Sequence, residues 1–108
     1  MQPDKLRGML GLAKRAGRLV TGQDAVLEAV RKGEKTSLAL AAADASDRTV
    51  KQLTDKCISF GVPCRRLPLT SDELGASLGK KAPISTAAVT DRGFAEAILG
   101  LLPETPDN

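Results

Sequence analysis

Apolar side chains mark out the elements of this chain. Leu6, Met9, Leu10 and Ala13 recur three and four residues apart, the spacing of one helix stripe, and Pro3 suits the start of a helix over residues 4–16. Leu19-Val20 reads as a very short strand. Val26, Ala29 and Val30 form the stripe of a second helix from Gly22 to Lys32, with Gly33 as its stop. Ser37 to Ala42 is apolar at nearly every position, the pattern of a strand covered on both faces and hence of a sheet centre. Ser46 is placed to cap a helix over residues 47–60 that turns Val50, Leu53 and Cys57 inward and stops at Gly61. Val62 to Leu67 is a third strand. Pro63 suits only a strand start or an edge, so this strand belongs at the rim, where Arg65-Arg66 either protect the edge or meet phosphate. Thr70-Ser71-Asp72-Glu73 is a capping-box pattern opening a short helix that Gly79 ends. Ile84 to Val89 is the fourth strand, and Thr90 caps a last helix with Phe94, Ala95, Ile98 and Leu99 inward, ended by Pro103.

Strands alternating with helices over short connections predict an α/β fold, a three-layer α/β/α sandwich around a small mixed four-stranded sheet. A single domain over residues 1–102 accounts for the pattern, with a short acidic tail at 103–108. Cys57, Cys64, Phe60 and Phe94 are expected in the core.

Composition removes several classes of function. The chain has no His, and its two Cys lack a CxxC spacing, so neither a zinc site nor a disulfide framework is expected. It has no GxGxxG, no P-loop and no nucleophile beside a base, so no enzyme and no cofactor are expected. Without Trp or Tyr it lacks the stacking platform of single-strand binders. Leu38 to Ala43, the longest apolar run, is far short of the ~20 residues of a membrane span, and the N-terminus lacks a signal-peptide core. A cytoplasmic monomer with no membrane partner is the expectation.

Charge changes the picture more. The net charge is +3, but residues 1–35 hold eight basic against four acidic side chains, and the remainder eight against nine. Such asymmetry points to a polyanion-facing side near the N-terminal end. The stretch from Lys14 to Val26 is its focus. Lys14 and Arg15 end the first helix and Arg18 follows. Thr21 is positioned to cap the second helix, with Asp24 three residues on as in a capping box, while Gly22 leaves backbone amides open to an anion. Gln23 and Asp24 either cap or contact the ligand. Lys80-Lys81, in the loop before the fourth strand, can share an edge with Thr21-Gly22. Lys14, Arg15, Arg18, Gly22, Gln23, Asp24, Lys80 and Lys81 are the candidate nucleic-acid-binding residues, with Arg92, Pro83 and Ile84 as further contacts.

Gly22 to Gly33, Leu38 to Ala45, Gly61-Val62-Pro63, Glu73-Leu74-Gly75 and Leu78-Gly79 together resemble the kink-turn RNA-binding ribosomal proteins of the L-seven-Ae and L-thirty-e type. Gly79-Lys80, Ala88-Val89-Thr90-Asp91 and Gly93-Phe94-Ala95 are most similar to the small bacterial YlxQ-like branch. The resemblance implies an L-thirty-e-like fold and a non-enzymatic RNA binder. It also implies structured RNA as partner, ribosomal RNA or a kink turn being the candidates, and a protein of the translation machinery as a second partner. It places the contact at the start of the second helix, where the family presents Gly-x-Asn-Glu-x-x-Lys. Here Gly22 matches, but Asp24, Ala25 and Glu28 stand for the Asn, Glu and Lys. Asp24 cannot donate as an amide does, Ala25 has no acceptor, and Glu28 repels phosphate, so contact with the RNA backbone is favoured over G·A recognition. A protein-interaction adaptor on the same fold, with RNA binding lost, is the alternative.

Overall fold

The computed structural model describes residues 3–32 and 35–103. Along them run α1 (Pro3–Arg15), β1 (Leu19–Thr21), α2 (Gln23–Arg31), β2 (Leu38–Ala41), α3 (Asp47–Phe60), β3 (Cys64–Arg66), α4 (Ser71–Ser77), β4 (Thr86–Val89) and α5 (Arg92–Leu101). The strands form one mixed sheet in the order β1-β4-β2-β3. β4 pairs antiparallel with both β1 and β2, while β2 pairs parallel with β3.

Alternation along the two central strands sorts the core into two unequal layers. Leu38, Leu40, Ala87 and Val89 face α1, α4 and α5, where they meet Leu6, Leu10, Leu74 and Ile98. Ala39, Ala41 and Ala88 face α2 and α3, where they meet Val26, Val30, Leu53 and Cys57. The bulky residues Leu38, Leu40 and Val89 thus lie on one side of the sheet, and the other side carries the alanines Ala39, Ala41 and Ala88. The small side chains leave room for α2 to pack close to β1 and β4, which sets where its first turn emerges.

Local signals behave as the sequence predicts in α3 and α4. Ser46 accepts from the Thr49 amide and Gly61 closes α3 in the left-handed conformation. Thr70 and Glu73 form the reciprocal capping box of α4. β3 lies at the sheet edge, and its arginines are occupied within the protein. The Arg66 guanidinium donates to the carbonyls of Ala42, Ala43 and Ala45 at 3.1–3.4 Å, and Arg65 donates to the Pro103 carbonyl at 2.7 Å. That engagement favours the edge role over a phosphate site.

Four expectations need correction. Thr21 does not cap α2: it ends β1, opposite Ala87, and Gly22 is the N-cap with no side-chain cap bond, so no Thr21–Asp24 box forms. Ladder pairing holds Thr21 out of the cap position. Thr90 does not cap α5, because its amide donates to the Arg18 carbonyl at 2.9 Å and prolongs the β1–β4 ladder. Asp91 takes the role, its carboxylate accepting from the Phe94 amide at 2.9 Å. Phe60 is not core: 44% exposed at the end of α3, it lies under the Lys56 ammonium at 5.9 Å from its ring centroid. Cys57 is buried but Cys64 only half-buried, and both are free thiols. Gly33, expected to stop α2, and tail residues 104–108 lie outside the described residues.

Candidate nucleic-acid interface

Gly22 has φ +96°, a conformation that L side chains rarely adopt, and a Cβ there would meet no atom within 4 Å. Conformation rather than crowding therefore calls for glycine. The turn lets the chain leave β1, where the Gly22 amide still reaches the Thr86 carbonyl at 3.4 Å, and enter α2 at once. The first intrahelical bond runs from the Val26 amide to the Gly22 carbonyl at 2.8 Å. The amides of the first turn have no acceptor in the helix, and among the described residues no side chain caps them. They form an open, partly positive helix end.

This end opens onto a cleft of about 370 Å³ between Thr21-Gly22-Gln23 and the segment that leads into β4. Lys80, Ala82, Pro83, Ile84, Ser85 and Thr86 form the other wall, and Thr49 of α3 closes the side. Gln23 braces the cleft. Its side-chain oxygen accepts from the Thr86 hydroxyl at 3.1 Å, and its amide nitrogen donates to the Thr49 carbonyl at 3.4 Å and to Gln52 Oε1 at 3.2 Å. The Gln23 side chain is thereby committed to holding α2, α3 and β4 together. Thr86, Thr49 and Gln52, which supply its partners, carry no sequence signal of that role.

The 80–86 segment is held from α4 as well. The Lys80 amide donates to the Gly75 carbonyl at 2.9 Å and the Ile84 amide to the Ser71 carbonyl at 3.0 Å. Ser71 also donates its amide and hydroxyl to Asp44, at 2.7 and 2.9 Å, and its hydroxyl lies 3.2 Å from that of Ser85. The Ser71 amide, and after it the Ser71 hydroxyl, hold the Asp44 carboxyl below the usual carboxylate range. A depressed folded-state pKa stabilises the fold above the unfolded pKa and loses that effect as pH falls through the folded value. Asp44→Asn is accordingly expected to lower the urea midpoint at pH 7, with the difference from wild type shrinking as pH drops below about 4. A difference independent of pH would refute the assignment.

The other candidates do not all converge on this cleft. Lys14 and Arg15 line a separate groove between α1 and α4, with Arg7, Ser77 and Gly79. It adjoins the cleft through the Gly79-Lys80 step. Arg7 is paired there with Glu73 at 3.1 Å. Arg18 lies at the opposite end of β1 from Gly22, facing Lys32, Lys35 and Arg92 across a third cleft. The three residues of β1, four steps of extended chain or about 13 Å, part Arg18 from Gly22, so closeness in sequence along a strand becomes distance in space. Asp24 and Lys81 are exposed beside the first cleft, and Ile84 is buried in its wall while Pro83 is exposed. Among the described residues Lys14, Arg15, Arg18, Lys80 and Lys81 form no ion pair. On α2, Glu28 accepts from Arg31 at 3.1 Å, and that hydrogen bond, together with the Arg31 charge, holds its carboxyl below the usual range.

Comparison with known proteins agrees with the fold. Residues 4–99 match the model of the ribosomal protein L7Ae/L30e/S12e/Gadd45 family. The chain is 42% identical over 94 residues to the RNA-binding protein YlxQ of Bacillus subtilis (strain 168), covering 87% of this chain and 91% of that protein. It is 36% identical over 92 residues to the protein of the same name from Enterococcus faecium, covering 85% of each. A solved structure described as a protein with unknown function from Bacillus halodurans C superposes with a TM-score of 0.85 at 35% identity, covering 93% of this chain and 98% of that one. The Giardia lamblia 15.5kD RNA binding protein shares the fold at a TM-score of 0.76 and 23% identity, covering 91% and 84%.

Proposed function

Because the chain belongs to the ribosomal protein L7Ae/L30e/S12e/Gadd45 family, we propose that it is a non-enzymatic RNA-binding protein that grips structured RNA by its backbone at the cleft between the start of α2 and the 80–86 segment. The observation that carries this reading is the uncapped first turn of α2 opening into the same cleft as Lys80. Open amides and an ammonium that forms no ion pair among the described residues are both donors to phosphate oxygen. Lys81 beside the cleft, and Lys14 and Arg15 in the adjoining groove, extend the cationic track. The relatives named as RNA-binding proteins support the same partner.

Asp24, Ala25 and Glu28 favour a mode that follows phosphates over one that reads sheared G·A pairs, since none of the three offers the donors or the cation of the family pattern. Gln23 shapes the cleft by bracing its walls, and Gly22 supplies the turn. A kink-turn RNA from ribosomal RNA is the natural probe, and fluorescence anisotropy across a salt series the measurement. Affinity is expected to fall steeply with salt. Lys80→Glu with Lys81→Glu should weaken binding and reduce the salt slope by about 1 for each phosphate no longer neutralised. Binding that ignores salt, or that survives both charge reversals unchanged, overturns the proposal.

A further inference from the structure

We propose that the cleft at the far end of β1 from Gly22, rimmed by Arg18, Lys32, Lys35 and Arg92, binds a single nucleotide unit by its phosphate. This cleft is the larger of the two that flank β1, at about 760 Å³, within the ~300–1,000 Å³ range of small-molecule sites. A phosphate alone would leave most of it empty. Its rim cations come from separate places along the chain: the residue before β1, the end of α2, the approach to β2 and the first residue of α5. Such convergence of distant residues is a property of the fold and is unlike a run of basic residues on one solvated face.

Charges inside the cleft favour an anion. Among the described residues its two carboxylates already have partners within the protein: Glu28 is held by Arg31, and Asp91 caps α5. Arg18, Lys32 and Lys35 form no ion pair among the described residues, and Arg92 is paired only with Glu96, at 3.2 Å between two exposed side chains. Between the cations lies an aliphatic floor of Val20, Ala25 and Ala29, with Ser37 and Thr90 beside it. The hydroxyls of Ser37 and Thr90 donate to no group among the described residues. A nucleotide matches this lining part by part, with phosphate against the rim, base or ribose on the aliphatic floor, and ribose or base polar atoms within reach of the hydroxyls. The nucleotide can be a residue of bound RNA or a free nucleoside diphosphate. The first source rests on the proposed RNA-binding function and the second does not.

The test compares the full-length wild type with the double variant Arg18→Glu, Lys35→Glu. Both side chains are exposed, and unchanged thermal melting confirms that the variant is folded. Calorimetry uses ADP and GDP as free-nucleotide probes, and anisotropy uses a kink-turn RNA. Nucleoside diphosphate binding that the double variant abolishes, with RNA affinity unchanged, supports the free source. If neither diphosphate binds, an RNA affinity lowered about tenfold or more, with the salt slope reduced by about 1 for the one phosphate no longer neutralised, supports the RNA source. Lys5→Glu with Lys51→Glu makes the same charge change away from the cleft, and an equal RNA loss in that control overturns the RNA arm. Absence of diphosphate binding together with an RNA affinity insensitive to the double variant overturns the proposal outright. Diphosphate binding by a wild type that fails to bind RNA overturns the proposed RNA function and leaves this site standing.

Discussion

Gly75→Ala is expected to destabilise the fold by about 2–3 kcal/mol, although helix propensity alone favours alanine by about 1 kcal/mol. Gly75 is buried in α4, and a Cβ built on it would overlap the Ala82 carbonyl oxygen while lying 3.4 Å from the Ala82 carbonyl carbon and 3.5 Å from the Pro83 Cα. Those neighbours are backbone and cannot swing aside as a side-chain tip can. They also belong to a strap tied across α4 by the bonds of Lys80 to Gly75 and of Ile84 to Ser71. An added methyl group must therefore lift the strap or tilt the helix. Because Lys80 and residues 82–86 form one wall of the candidate RNA cleft, RNA affinity should fall along with stability. Urea denaturation and anisotropy on the same variant read both effects. A variant as stable as wild type or more so would show that local propensity, rather than this close approach, governs the position.

Leu40→Ala should cost about 2–5 kcal/mol, a large share of the roughly 5–15 kcal/mol that holds a domain together. Leu40 is fully buried in β2, between β4 and β3, and its side chain faces the layer of α1, α4 and α5. The cavity left by the substitution would be lined by backbone of the central strands and by large side chains already fixed by their neighbours, so the site can collapse little. A fall in Tm of about 10 °C or more is the expected readout for a chain of this size. RNA binding by the folded fraction should persist, since Leu40 lines neither cleft. A loss below about 1 kcal/mol would mean that the core repacks around the gap, contrary to close packing in this layer.

Much of the fold is legible in the sequence because its determinants are local. Ser46 and Gly61 bound α3 where the sequence places them, and Thr70 and Glu73 start α4. Pro63 and the two arginines mark β3 as an edge, which it is. Two caps go astray for a shared reason. Thr21 and Thr90 are sound capping residues by type, but Thr21 pairs with Ala87 and the Thr90 amide bonds to the Arg18 carbonyl, so the β1–β4 ladder holds both. Competition between a cap and a distant partner strand leaves no trace in the local sequence. Phe60 misleads similarly, since it continues the spacing of the α3 stripe yet is 44% exposed at the helix end, beneath Lys56.

The candidate site is legible in its parts and illegible in its assembly. Gly22 and Lys80 stand out by type, as a turn residue and a loop cation, and the fold places them on the same cleft. Gln23 reads as a cap or a ligand contact, yet its amide is spent on Thr86, Thr49 and Gln52, the last two 26 and 29 residues away. Lys32 and Lys35 carry no signal beyond their charge, and Arg18 groups with Lys14 and Arg15 simply because they are neighbours in the chain.

The amino-acid sequence by itself determined the order of helices and strands, the mixed α/β architecture and the surplus of positive charge toward the N-terminal end. These follow from side-chain periodicity, turn chemistry and composition, which act over a few residues or not through contacts at all. Only the tertiary structure decided that Arg18 and Gly22 serve different clefts, that Gly75 is glycine to admit a carbonyl from residue 82, and that distant cations meet at the end of β1. Each of those depends on the sheet order, which brings β4 between β1 and β2 and so sets which loops become neighbours.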